Sequence, residues 1–278
     1  MRTRERLPPL NPFSNSQNKP VKIHSNVISF RNRLLILAGY LLLSASCKSE
    51  ELMSEKKNIK INKNQLTEIR YLALGDSYTI GEGEKTENTY PHLVEKLLES
   101  EGYKFSTVSV IAKTGWTSNE LLEAVVQKNI QEDSYDIASL LIGVNNQYRD
   151  QTLEQFRKEL IDLIEITSNY LKNKQQKNTI LVSIPDWGVT QFAQSVKKPK
   201  EQIRREIDSF NEVIQQEASN YGLDFINITD QYRKNGAHPL NLVADGLHPS
   251  KNIYEEWALH LSKAFKKKLK LPTNTQNW

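Results

Sequence analysis

A single cysteine, Cys47, occurs in the 278 residues. One thiol excludes an intrachain disulfide framework and a metal centre built from cysteines. Long apolar runs are missing as well. The most apolar stretch, Leu34–Leu43, has about half of the ~20 residues a bilayer-spanning helix needs, so no permanent transmembrane helix is expected. A clustered excess of arginine and lysine is also absent from most of the chain. The formal charge of +4 has a local origin, because residues 1–46 hold seven of the 37 basic and one of the 33 acidic residues. That leaves 30 basic and 32 acidic residues in 47–278, and no nucleic-acid partner is expected. Apolar content of 38% and charged content of 25% are ordinary for a globular domain.

The N-terminal region carries an address. Arg31 and Arg33 precede the apolar core Leu34–Leu43, and the small residues Ser44-Ala45-Ser46 lead to Cys47. This is the order of a secretory signal. The segment resembles the bacterial lipoprotein lipobox, with Ser44 standing where leucine is usual. That resemblance implies lipidation of Cys47, export to the cell envelope and a membrane as partner through a lipid anchor. Residues 1–30 form a polar preface that an upstream start codon chosen in error would explain. Residues 48–66 are polar and charged, which suits a flexible tether. The expected organisation is therefore a preface and signal over 1–46, a tether over 47–67, a folded domain over 68–271 and a tail over 272–278.

Within the domain, strand and helix patterns alternate. Short apolar or β-branched runs bounded by turn residues lie at Ile69–Gly75, Ser106–Ala112, Asp136–Gly143, Asn178–Ile184 and Asp224–Ile228, as expected of buried parallel strands. Apolar residues at three- and four-residue steps mark helices at Leu153–Leu171 and Glu201–Tyr221, with shorter ones at Tyr90–Glu101, Ser118–Lys128 and Ile253–Lys268. Ser118 reads as the N-cap of its helix. Such alternation predicts an α/β domain: a three-layer α/β/α sandwich with a five-stranded parallel sheet. The flavodoxin-like strand order 2-1-3-4-5 is the natural candidate. Gly188–Lys200 is longer and more polar than most connections and is expected to be a mobile loop at a pocket edge.

In an open parallel sheet ligands bind beyond the carboxyl ends of the strands. The first strand is followed there by Asp76-Ser77, with Gly81 and Gly83 behind them. The second is followed by Gly115, whose N–H can approach a ligand without a Cβ in the way. The third is followed by Asn145, an amide donor. With the first strand between the second and third, Ser77 stands between Gly115 and Asn145. Serine needs a base to become a nucleophile. His248 suits that role, and Asp245, three residues earlier, can hold its other ring nitrogen. Trp116, Tyr148 and Trp187 lie near these turns in sequence and are candidate pocket-lining residues. No Gly-x-Ser-x-Gly occurs, since position 79 is threonine, so the strained elbow of the α/β-hydrolases is not indicated. A nucleotide or flavin binder is disfavoured too, because the turn lacks a phosphate loop and Asp76 and Glu82 would repel phosphate.

Gly75-Asp76-Ser77, Gly115, Gly143-Val144-Asn145 and Asp245-Gly246-Leu247-His248, in that order, resemble the four blocks of the SGNH hydrolase superfamily, the GDSL esterases and lipases. Ser183–Thr190 is similar to a stretch of its bacterial esterases. The resemblance covers roughly residues 69–265. It implies Ser77 as nucleophile, His248 and Asp245 as base and orienting acid, and Ser77, Gly115 and Asn145 as oxyanion hole. It also implies a carboxylic ester as substrate, drawn from small molecules, glycans or lipids, with no metal or organic cofactor. Two positions depart from the pattern: Lys113 stands where asparagine is common, and Asn146 where aspartate is. The competing reading from another class is a non-catalytic surface lipoprotein that binds carbohydrate or lipid on the same scaffold. Asp76 reads as a structural residue of its own turn, His238 as a loop residue, and His92 and His260 as helix residues.

Overall fold

The computed structural model describes residues 68–269. The signal, Cys47, the tether and the C-terminal tail lie outside the described residues. Five strands form one sheet: β1 (Ile69–Gly75), β2 (Phe105–Ala112), β3 (Ile137–Leu141), β4 (Thr179–Val182) and β5 (Asp224–Ile226). All pairings are parallel and the order is β2-β1-β3-β4-β5. This is the α/β/α sandwich with the 2-1-3-4-5 order expected from the alternation.

The central strands are mostly apolar because helices cover both of their faces. β1, β3 and β4 are buried almost without interruption, whereas β2 and β5, at the edges, are half-buried. β3 is shorter than the apolar run suggests. It stops at Leu141, and Gly143 takes φ +126°, a left-handed geometry that ends strand pairing and favours glycine. A side chain at 143 would also place its Cβ 2.8 Å from the Phe156 ring.

The helices are α1 (Ser77–Ile80), α2 (Tyr90–Ser100), α3 (Ser118–Gln127), α4 (Val144–Tyr148), α5 (Leu153–Tyr170), α6 (Lys200–Tyr221), α7 (Thr229–Asn235) and α8 (Lys251–Lys268). α2 packs against α8, while α3, α5 and α6 pack in sequence against one another. α5 turns Phe156, Leu160, Leu163 and Ile164 inward, each fully buried side chain contributing roughly 1.5–3 kcal/mol. Among the described residues no helix is long and apolar enough to cross a membrane.

One cap differs from expectation. Thr117, not Ser118, is the N-cap of α3, and it forms a reciprocal capping box with Glu120. Ser118 is the first helical residue, and its hydroxyl donates to the buried carboxylate of Glu159 on α5. Threonine and serine stand side by side here, and the glutamate three residues after threonine selects the first.

The register at the carboxyl rim decides where the site forms. Gly75, the last residue of β1, pairs with Ala112 of β2 and Leu141 of β3. The three strands therefore end level. A Cβ on Gly75 would lie 2.4 Å from the Leu141 carbonyl oxygen and 2.1 Å from Thr79 Oγ1, so only glycine permits this approach.

Candidate active site

The chain leaves β1 through Asp76, the N-cap of α1, whose Oδ1 accepts from the Tyr78 N–H at 3.0 Å. That bond turns the backbone sharply and sets Ser77 on the first position of α1. Asp76 is fully buried. Burial pushes its carboxyl up to about 7, a rise moderated by the Tyr78 N–H and the Asn145 amide. The structural reading of Asp76 accords with these contacts.

Beyond β2, Gly115 adopts φ +83°, which relieves a tight turn that leads into α3. Three side chains at or beside α4 hold this turn. Arg149 Nη2 donates to the Gly115 carbonyl at 2.6 Å, and Asn145 Nδ2 donates to the Trp116 carbonyl at 3.0 Å. Asn146 Oδ1 accepts from the Ser118 N–H at 3.0 Å. Asn146, one of the two departures from the family pattern, is buried, and its Nδ2 donates to Ser118 Oγ at 2.6 Å and to Gln151 Oε1 at 2.7 Å. The carboxylate in this cluster is Glu159, which takes hydrogen bonds from Ser118 and Gln155.

The segment after α7 builds the third wall. Val243 N–H donates to the His248 carbonyl and Gly246 N–H to the Val243 carbonyl, closing a tight loop with Gly246 at φ +67°. Tyr232 Oη ties this loop to the core through the Leu247 carbonyl at 2.8 Å. Asp245 Oδ1 accepts from the backbone N–H groups of Leu247 (2.8 Å) and His248 (2.9 Å), and Oδ2 lies 2.6 Å from His248 Nδ1. Burial works against the charge on Asp245, yet the His248 ring and the two backbone donors outweigh it and hold the carboxyl below its ordinary range. With Nδ1 engaged, Nε2 is the imidazole nitrogen left for chemistry. Tyr78 flanks the ring at a centroid distance of 5.0 Å.

These groups meet in one cavity of about 180 Å³, lined by Ser77, Gly115, Asn145 and His248 together with an apolar wall that includes Tyr148, Trp187 and Phe192. Ser77 and His248 are buried. Among the described residues no hydrogen bond joins the Ser77 hydroxyl to the His248 ring. The Ser77 and Gly115 N–H groups have no acceptor among the described residues, and both residues line the cavity.

Tyr148 and Trp187 form part of the wall, with ring centroids 5.5 Å apart. Trp187 is buried, and its indole N–H donates to Gln147 Oε1 at 2.7 Å. Trp116 is not among the lining residues. Its side chain packs half-buried against the core, and only its carbonyl serves the site, through Asn145. Phe192 and Leu247 line the cavity without having stood out in sequence. Phe192 belongs to the 188–200 segment, which opens on a short 3-10 turn at Trp187–Val189 and contains another at Phe192–Ser195. Lys198, in the same segment, is anchored by Asp150 and Glu206. His238 is exposed, accepts from the Leu240 N–H through Nδ1 and stays outside the cavity.

Solved structures share this fold over nearly their whole length. The lipase/acylhydrolase from Enterococcus faecalis is 21% identical, over 73% of this chain and 97% of that one, with a TM-score of 0.56. The psychrotrophic esterase EstA from Pseudoalteromonas sp. is 16% identical, over 72% and 98%, with a TM-score of 0.53. The lipase Lip_vut3 from a goat rumen metagenome is 18% identical, over 70% and 97%, with a TM-score of 0.57. A sequence search of curated proteins gives no match. The family model described as the GDSL-like Lipase/Acylhydrolase family matches residues 73–256, well over half of the chain, and the chain belongs to that family.

Proposed function

We propose that this chain is a serine esterase that cleaves a carboxylic ester through an acyl-enzyme on Ser77. One observation carries the reading: Ser77, Gly115, Asn145 and His248 line a single cavity while Asp245 grips the far nitrogen of His248. Ser77 Oγ attacks the ester carbonyl as His248 Nε2 takes its proton. Asp245 keeps Nδ1 protonated and balances the imidazolium charge. The oxyanion receives hydrogen bonds from the N–H groups of Ser77 and Gly115 and from Asn145 Nδ2. The amide has two N–H bonds: Nδ2 donates to the Trp116 carbonyl at 3.0 Å and reaches Asp76 Oδ2 at 3.5 Å, and the oxyanion would compete with Asp76 for the longer of the two. His248 returns the proton to the leaving alcohol. A water molecule, activated by the same imidazole, then releases the acid. Each oxyanion donor is worth ~2.7–4 kcal/mol of transition-state stabilisation.

Turnover of p-nitrophenyl butyrate by the wild type and its loss in Ser77→Ala, with circular dichroism unchanged, is the expected result. A serine-directed organophosphonate should label Ser77. A folded wild-type protein that neither turns over esters nor takes the label would support the binding-only scaffold instead.

The proposal extends to location. Export and lipidation at Cys47 follow from the Arg31–Cys47 pattern, and the tether would leave the domain anchored to an envelope membrane. Mass spectrometry of the mature N-terminus tests this: a diacylglyceryl-modified Cys47 is expected, and an unmodified residue there removes the anchor.

A further inference from the structure

Gly115 has a positional difficulty that Ser77 does not. β1 is flanked by strands on both sides, but β2 is an edge strand, and the turn that follows it has a neighbouring turn on one side only. Lys113 and Thr114, at its tip, are exposed. A left-handed glycine beside exposed residues can rotate its peptide units at little cost. The direction of the Gly115 N–H must therefore be set by contacts made elsewhere in the turn.

The Trp116 N–H closes the turn onto the Lys113 carbonyl at 3.2 Å, and Thr114 Oγ1 donates to Glu82. The other side-chain contacts come from α4 and the residue beside it. Asn145 takes the Trp116 carbonyl and Asn146 the Ser118 N–H, both downstream of the glycine. Arg149 alone among the three holds the glycine itself, with Nη2 2.6 Å from the Gly115 carbonyl oxygen. Its Nη1 lies 3.2 Å from Glu120 Oε2. That same oxygen accepts from the Thr117 N–H at 2.8 Å. The guanidinium fork thus spans from the glycine to the capping box that starts α3, and Glu120 fixes the fork in place.

We propose that Arg149 is a positioning residue, which pins the Gly115–Trp116 peptide through the Gly115 carbonyl and so fixes one side of the glycine, limiting the rotation by which its N–H, in the preceding peptide, could turn away from the oxyanion formed on attack by Ser77. The proposal rests on the esterase reading above. Arg149 does not line the cavity, so it acts through Gly115 and not on the substrate. Its partner in the ion pair is Glu120, and both side chains are about half exposed. Pairs of that kind contribute little to global stability. Misplacement of a catalytic group by about an ångström, in contrast, can cost as much as a hundredfold in rate.

The test compares wild type, Arg149→Met and Arg149→Lys on p-nitrophenyl butyrate, with kcat, KM, the pH profile of kcat/KM and Tm measured for each. Arg149→Met is expected to lose roughly ten- to a hundredfold in kcat, with KM within about twofold, an unmoved acid limb of the pH profile and an unchanged Tm. Arg149→Lys, which can reach the carbonyl with a single N–H, should recover part of kcat. Wild-type kcat in Arg149→Met overturns the inference, as does a raised KM at constant kcat, which would make Arg149 a substrate contact. A fall in Tm that parallels the fall in kcat, with lysine no better than methionine, overturns it as well. These failures presuppose an active wild type. An inactive wild type that resists organophosphonate labelling removes the esterase reading itself, and the inference with it.

Discussion

The backbone N–H of Phe192 donates to the carbonyl of Gly246 at 3.0 Å. This bond joins the apolar wall of the cavity to the loop that carries Asp245 and His248. Because the bond is made by the backbone, it survives replacement of the side chain. Phe192→Ala should therefore enlarge the cavity without disturbing the acid–base pair. Trp187 and Tyr148, at centroid distances of 6.0 and 6.4 Å from the Phe192 ring, remain to line it. The expected outcome is a severalfold rise in the rate on p-nitrophenyl octanoate relative to acetate, in keeping with ~1–3 kcal/mol per methylene accommodated or refused. An unaltered chain-length profile would show that Phe192 does not limit the acyl group.

Asp245 has three partners, and only one of them is the imidazole. In Asp245→Asn the amide oxygen can keep the two backbone donors of Leu247 and His248. The amide nitrogen then faces Nδ1 and forces the proton to Nε2, where a base must be free. The loop should stay folded while kcat falls by about 10²–10⁴. Stopped-flow acylation rates against p-nitrophenyl acetate, beside a thermal melt, measure both. Loss of less than tenfold would mean that the carboxylate does not set the tautomer.

Asn146→Asp would bring this chain to the asparagine–aspartate pair its family often has, yet it should destabilise this protein. Asn146 Nδ2 lies 3.5 Å from Glu159 Oε2 and donates to Gln151. A carboxylate there would lose those donations and face a second buried carboxylate, at a cost of about 1–3 kcal/mol. The loss should shrink as the pH falls and one of the two carboxyls takes a proton. Adding Glu159→Gln should restore stability. Denaturant melts at pH 7 and pH 5 read both effects, and equal stability of Asn146→Asp and wild type at pH 7 would contradict them.

Buried Asp76 makes the fold sensitive to pH in an unusual direction. Its carboxyl stands at about 7 in the folded chain against an ordinary 3.8. A carboxyl raised by folding contributes its full stabilisation below the unfolded value, and that contribution is lost as the pH rises through the folded value. Between about pH 4 and 7 this group should therefore lower Tm as the pH rises. Asp76→Asn retains an acceptor for the Tyr78 N–H and removes the titration. Its Tm should vary less across that window than wild type. Parallel curves would assign the pH dependence to other groups.

The elements of the fold were legible because each of the five strands is a run of apolar residues with polar or turn residues on both sides. Their ends were less so. Ile142 is as buried as the strand before it, and only the backbone angle at Gly143 reveals that pairing has already stopped. The candidate nucleophile, base and acid stand in short local patterns that a sequence displays directly. Trp116 shows the limit of proximity along the chain: it adjoins Gly115, yet its ring packs against the core while Phe192, 76 positions further on, lines the cavity. Arg149 and Glu159 were silent for a related reason. Their partners are 34 and 41 positions away, and nothing in a lone charged residue on or beside a helix announces a distant carbonyl or hydroxyl.

The level ending of β1, β2 and β3, with Gly75 opposite both Ala112 and Leu141, makes this rim intolerant of changes in length. Inserting two residues near the end of any one strand would preserve the alternation of its side chains. It would also push that strand's turn outward by about 6.6 Å, at ~3.3 Å per residue, more than the reach of a hydrogen bond. Changes in length are therefore better borne by the connections at the opposite end of the sheet than by these three spans.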